Sequence, residues 1–234
     1  MTTRVLVGTS GYAYKEWKGT FYPEKLPADE FLAFYSSKFS TVEINNTFYR
    51  MPTEALLQGW AGQVPEGFTF VLKAAQKMTH IRRLKDCSKE VEYFSRTATV
   101  LGDKLGPTLV QLPPNMNKDL PRLVEFLALF PPRWRLAVEF RHESWFGDDV
   151  YAALKERDAA LCVADTDADE GDPAITPTAT WGYLRLRREQ YSPKTLKTWA
   201  ELVQGQAWTD AYAFFKHEDS GTGPELAGKF QQAL

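Results

Sequence analysis

The sequence predicts an α/β fold: a single TIM-like (β/α)8 barrel over residues 1–234, with its sixth helix short or replaced by a loop. Two observations carry that expectation. Eight short apolar runs end in polar or charged residues, and nearly every one is followed by a stretch with helical spacing. Strands alternating with helices build parallel sheets, and eight such units make a closed barrel. The chain length of 234 residues is right for one barrel domain and short for two, while 44% apolar and 14% aromatic content furnish a large core.

The first run, Val5-Leu6-Val7-Gly8, ends on Thr9-Ser10. A long connection from Gly11 to Pro27 follows, with Tyr12, Tyr14, Trp17, Phe21 and Tyr22. Its aromatics either cap the barrel or form a stacking wall over a ligand. Residues 28–38 place Phe31, Leu32, Phe34 and Tyr35 at helical spacing. The second run, Val42-Glu43-Ile44-Asn45, precedes a helix over 53–64, capped by Thr53. The third ends Val71-Leu72-Lys73 before a helix over 88–101, and the fourth, Leu109-Val110-Gln111, leaves through the rigid Pro113-Pro114 before a helix over 120–130. The fifth, Ala137-Val138-Glu139-Phe140-Arg141, leads to a helix over 148–157. After the sixth, Leu161-Cys162-Val163-Ala164-Asp165, residues 166–180 are rich in Asp, Pro, Gly and Thr and read as a loop. Tyr183-Leu184-Arg185-Leu186-Arg187 and Phe214-Phe215-Lys216-His217 complete the set, with helices over 193–203 and 224–234. Proline near the start of three helices suits the first turn.

A formal net charge of −2 gives no general attraction for polyanions, so broad wrapping of nucleic acid is not favoured. No apolar run approaches the roughly 20 residues that cross a bilayer, which argues against a membrane partner. Met1-Thr2-Thr3-Arg4 leads straight into a strand without a signal-peptide core. Cys87 and Cys162 lie far apart without CxxC spacing, as in a reduced, cytoplasmic protein.

Strand alternation sorts the charges. Glu43, Asn45, Lys73, Gln111, Glu139, Arg141, Asp165, Tyr183, Arg185 and Arg187 are expected to point inward, toward strand C-termini, the face that carries activity in barrels. Three acids then face four bases, a mildly cationic site in an acidic chain. The bland alternative is a buried salt-bridge network filling the barrel, against which stands a desolvation cost of several kcal/mol per ion. Excess positive charge predicts a small anionic ligand, phosphate-bearing by first choice, held by Arg141, Arg185 and Lys73, with Arg187 and Lys216 behind them. Glu43 and Glu139 are the candidate acid–base pair, oriented by Asp165; alternatively each carboxylate simply pairs with an arginine. Asn45, Gln111, Tyr12, Arg50, His80, His142, Trp145 and His217 are further candidate ligand contacts, although Trp145 equally serves to pin the next helix.

The three histidines follow strands three, five and eight singly, with no HxH or HExxH motif. A divalent metal held by them with the acids is therefore an option but not the favoured one, and no other cofactor is indicated. Three functional readings follow: an enzyme, hydrolase or lyase, acting on an anionic substrate; a non-catalytic nucleotide or nucleic-acid binding module; and a metal-dependent phosphodiesterase. Oligomeric state is not legible.

Gly8-Thr9-Ser10-Gly11-Tyr12, Trp17-Lys18-Gly19-Thr20-Phe21-Tyr22-Pro23 and the stretch from Val42 to Pro52 resemble the YecE-like family, a domain of unknown function. So do Lys73 with Thr79-His80, Gln111-Leu112-Pro113-Pro114, Val138 to Trp145, and Phe215 to Asp219. The resemblance runs in order over almost the whole chain and implies a TIM-like barrel, without an activity. It also leads one to expect His-Gly after the seventh-strand arginine, where this chain has Leu186-Arg187-Arg188, so no role resting on that histidine carries over.

Overall fold

A computed structural model describes residues 3–167, 174–216 and 221–234. The strands are β1 (Arg4–Thr9), β2 (Thr41–Ile44), β3 (Thr69–Lys73), β4 (Leu105–Gln111), β5 (Leu136–Glu139), β6 (Ala160–Leu161), β7 (Val163–Asp165), β8 (Gly182–Leu186) and β9 (Asp210–Phe215). Every pairing is parallel, in a four-stranded sheet ordered β1-β9-β8-β7 and a five-stranded sheet ordered β2-β3-β4-β5-β6. Parallel neighbours need crossovers, and the helices supply them: α1 (Phe31–Ser36), α2 (Asn46–Tyr49), α3 (Glu54–Ala61), α4 (Ser88–Ala98), α5 (Leu120–Ala128), α6 (Asp148–Glu156), α7 (Pro193–Gln204) and α8 (Thr222–Ala233).

Thr53 caps its helix as expected, and two further caps appear. The Thr53 hydroxyl accepts from Leu56 N–H at the start of α3, and Asp119 and Ser192 accept from Arg122 and Thr195 before α5 and α7, each of which carries proline in its first turn. Between β7 and β8, residues 166–167 and 174–181 contain no helix, as expected; residues 168–173 lie outside the described residues. Helix α2 is an element that periodicity does not announce. Four residues are too few to show a helical period, and its hold is tertiary: the Thr47 hydroxyl donates to Lys73 O at 2.7 Å.

The backbone brings the sheets together at two seams. β6 and β7 are one run of chain broken at Cys162, whose N–H donates to Val138 O at 2.8 Å. At the other seam Ser10 bridges Glu43, and Gly11 N–H donates to Glu43 O at 2.8 Å. The core divides accordingly. A large outer cluster between sheets and helices takes Val7, Val42, Ile44, Phe70, Leu72, Val110, Val138, Leu184, Leu186 and Phe215. A small inner cluster takes Leu6, Val71, Leu109, Ala137, Ala160, Cys162, Trp181, Tyr183, Tyr212 and Phe214. The alternation expected for strands two, three, four, five and seven is thus observed.

Asp165 is the correction. Cys162 and Ala160 belong to the inner cluster, and the register pairs Ala164 with Arg185 and Asp165 with Leu186, an outer-cluster residue. Asp165 therefore faces the helices, where it accepts from Arg188 Nε at 2.6 Å and Tyr191 Oη at 2.8 Å. Leu161 through Ala164 are apolar at both parities, so alternation alone could not assign the face.

The aromatic connection packs mainly inward. Trp17 and Tyr22 are buried, and Tyr22 stacks on Phe31 of α1 at 4.2 Å between centroids. Cys87 and Cys162 are free and buried, and among the described residues no helix is long and apolar enough to cross a membrane.

At Gly8 the backbone of β1 lies tight against Thr41 of β2. A Cβ there would lie 2.1 Å from Thr41 O and 2.9 Å from the Tyr35 hydroxyl, which itself donates to Thr41 O. Both obstacles are fixed by hydrogen bonds, so Gly8→Ala must part the seam. We expect a loss of about 1–3 kcal/mol, typical of overpacking, read as a lowered Tm in a thermal melt; an unchanged Tm would mean that the seam yields freely.

Candidate functional site

The strand C-termini deliver a charged cluster of high order. Arg185, at the end of β8, donates from Nη1 to Glu139 Oε2 at 2.6 Å and from Nη2 to Glu43 Oε1 at 2.9 Å. Relative exposures of 0%, 0% and 2% for Glu43, Glu139 and Arg185 put both carboxylates out of reach of solvent and leave the guanidinium only a trace of exposure. Tyr183, two residues earlier on the same face, donates its hydroxyl to Glu43 Oε2 at 2.6 Å. Glu139 Oε1 accepts from Gln111 Nε2 at 2.8 Å and from Arg141 Nε at 3.0 Å, with Arg187 Nη2 at 3.6 Å.

Burial by itself would raise the Glu139 carboxyl; Arg185, Arg187 and Arg141 outweigh burial and hold it at about 2. The Tyr183 hydroxyl goes the other way: burial, then the neighbouring Glu43, pushes it well above its ordinary value, so it remains a donor. Charge is not balanced here, since Glu43 and Glu139 answer Arg185, Arg141, Arg187 and the adjacent Lys73.

Above the triad opens a cavity of about 290 Å³ lined by Tyr14, Asn45, Asn46, Tyr49, Lys73, Gln111, Arg141, Arg185 and Lys216. No carboxylate is among its described lining residues. Lys73 stands with Nζ 4.1 Å from the Phe48 ring centroid, a cation–π contact set up by α2. Burial first, then repulsion from Arg185, lowers its amine to about 8, against the pull of both glutamates.

The structure thus gathers Lys73, Arg141, Arg185, Asn45, Gln111 and Lys216 at one cavity, with Glu43 and Glu139 beneath it. It places the other expected contacts elsewhere. Tyr12 belongs to a neighbouring crevice of about 150 Å³ with Tyr14 and Trp60; burial raises its hydroxyl to about 12. Arg50 edges an apolar hollow with Met51, Leu56 and Trp60. His80 shares a hydrogen bond with Thr79 and meets the Phe48 ring edge-on at 4.9 Å; burial and then Lys73 lower its pKa. His142 caps the turn Glu143–Trp145 by accepting from Ser144 N–H. Trp145 is fully buried, stacked on Phe140 and donating to Met116 O. His217 lies outside the described residues. Among the described residues no three of His, Cys, Asp and Glu come together as a metal-holding group.

Sequence reasoning does not single out Asn46, Phe48 and Tyr49 as site residues; they sit in α2 after a strand, where alternation gives no direction, and their only signal is position just beyond a strand C-terminus. Tyr14 is one of the loop aromatics read either as a cap or as a wall over a ligand, and it lines the cavity.

Fold and pocket define a class: an α/β protein of parallel sheets with a cationic pocket where strand ends converge. The chain belongs to the DUF72 family, described as a protein of unknown function, whose model matches residues 6–234. It is similar to the UPF0759 protein YecE of Escherichia coli (strain K12), 30% identical over 113 residues, 48% of this chain and 42% of that protein. Similarity to the UPF0759 protein YunF of Bacillus subtilis (strain 168) is 29% over 155 residues, 63% of this chain and 54% of that one. The chain therefore spans about half the length of the curated relatives it matches. A solved DUF72 family protein from Thermotoga maritima superposes with a TM-score of 0.82 and 28% identity over 98% of both chains.

Two outcomes follow from the triad. Arg185→Leu strands two buried carboxylates, and we expect a loss of about 3–5 kcal/mol in urea unfolding at neutral pH; a change under about 1 kcal/mol, the scale of an exposed ion pair, would show that the triad is solvated. Glu139 is held at about 2 in the fold against an ordinary 4.5. Its contribution is thus complete above pH 4.5, declines as pH falls, and is gone below about 2. Glu139→Gln should flatten the stability–pH curve across that window.

Proposed function

We propose that this chain binds a small phosphate-bearing or otherwise anionic ligand in the cavity above the Arg185 triad, and that it acts on that ligand as an enzyme. We infer further that the β6–β7 run and the Ser10–Glu43 bridge join the two sheets into one (β/α)8 wall around the pocket. The observation that carries the reading is the lining itself: Lys73, Arg141, Arg185 and Lys216 share one opening with the amides of Asn45, Asn46 and Gln111. Guanidinium groups fixed by buried carboxylates are pre-aligned for a tetrahedral or planar oxyanion, so little order has to be imposed on binding.

The acid–base pairing of Glu43 with Glu139 is not the arrangement this geometry favours. Both oxygens of each are taken by strong donors, and a carboxyl held at about 2 is a feeble base near neutrality. In this reading the glutamates orient Arg185, Arg141 and Tyr183, while Lys73 is the pocket group whose proton is exchangeable near neutral pH. A nucleotide or nucleic-acid end is the second reading, favoured by the Tyr49 ring, 72% exposed at the lip and open to stacking on a base.

Calorimetric titration with inorganic phosphate should give one site per chain, weakening as salt rises because Arg141 and Lys216 stand near solvent. Arg141→Ala should weaken it roughly tenfold or more, the worth of a charge-assisted hydrogen bond of about 1.5–3 kcal/mol. Undetectable binding in the native chain, or an unaffected Arg141→Ala, would overturn the reading. Tighter binding of a mononucleotide than of phosphate, lost in Tyr49→Ala, would select the second.

A further inference from the structure

The anion-binding side chains leave Lys73 without an obvious task. Arg141, bonded to Glu139 through Nε, already brings a guanidinium to the cavity, whereas Lys73 makes no ion pair among the described residues and rests its amine on the face of Phe48. An ammonium meant only to attract anions gains nothing from being desolvated beside other cations. Burial and the neighbouring Arg185 charge favour a neutral, nucleophilic amine, while the Phe48 face fixes where Nζ stands. The side chain is 8% exposed and what remains open faces the cavity it lines.

We propose that Lys73 forms an imine with an aldehyde or ketone that carries a carboxylate or phosphate, the anionic group seated against Arg141 and Arg185. This rests on the anion-pocket reading and names its substrate class. Nζ attacks the carbonyl carbon, both of its N–H protons pass to the departing oxygen, and that oxygen leaves as water. The imine nitrogen then takes up one proton from solvent. The resulting cation is placed favourably, because Glu43 and Glu139 attract positive charge at Nζ. With the amine lowered to about 8, roughly a tenth is neutral near pH 7, orders of magnitude more than for a surface lysine.

The test is reductive trapping. Native chain is incubated separately with pyruvate and with dihydroxyacetone phosphate, reduced with borohydride, and analysed by intact mass and peptide mapping, alongside the phosphate calorimetry. The expected result is one adduct per chain, on Lys73, suppressed by excess inorganic phosphate and absent from Lys73→Arg. Its yield should climb as pH rises through about 8. The two probes separate a carboxylate-bearing from a phosphate-bearing partner. Phosphate binding without an adduct, or labelling scattered over exposed lysines and unchanged in Lys73→Arg, overturns the imine while leaving the pocket reading intact. Neither binding nor adduct overturns both. Mapping is done on the native chain, so the modified residue is identified whether or not the variant folds.

Discussion

Arg185 is held between Glu43 and Glu139, and the rest of the site is arranged around that fact. Two carboxylates brought from β2 and β5 would repel each other in a dry interior; a guanidinium reaching both from β8 makes their burial tolerable. In consequence no member can leave alone. Tyr183, Gln111 and Arg141 complete the hydrogen bonding of the carboxylates, while Arg185 Nε stays buried without a partner and the surplus positive charge lies on the side of the opening.

That surplus decides what the pocket is suited to. With four basic side chains near two carboxylates, the glutamates act less as reagents than as brackets. Lys73 stands apart from the bracketed groups: α2 sets Phe48 beneath it, through a Thr47 hydroxyl that reaches both Ile44 O and Lys73 O. Four residues of helix thereby fix where the amine stands above the strand ends.

Much of this is legible in the sequence. Strict alternation in Val42–Asn45, Ala137–Arg141 and Tyr183–Arg187 assigns Glu43, Glu139 and Arg185 to the interior because apolar residues mark the opposite face. The same logic fails at Asp165, where Leu161 to Ala164 are apolar on both faces and the run breaks at Cys162. The choice between reagent and ion pair for Glu43 and Glu139 is also beyond the sequence, since it depends on distances across the interior. Trp145 and His142 look accessible beyond a strand end, yet one is swallowed by Phe140 stacking and the other bonded into its own turn. Loop residues such as Tyr14 and Tyr49 have no periodicity from which a direction could be read.

The Ser10–Glu43 bridge has a mechanical side. The residue that helps fasten the first strand to the second through its backbone is the same one whose side chain anchors Arg185. Local opening at that junction would therefore unseat the guanidinium as well, so the Gly11 amide, which donates to Glu43 O, stands as a reporter of the triad.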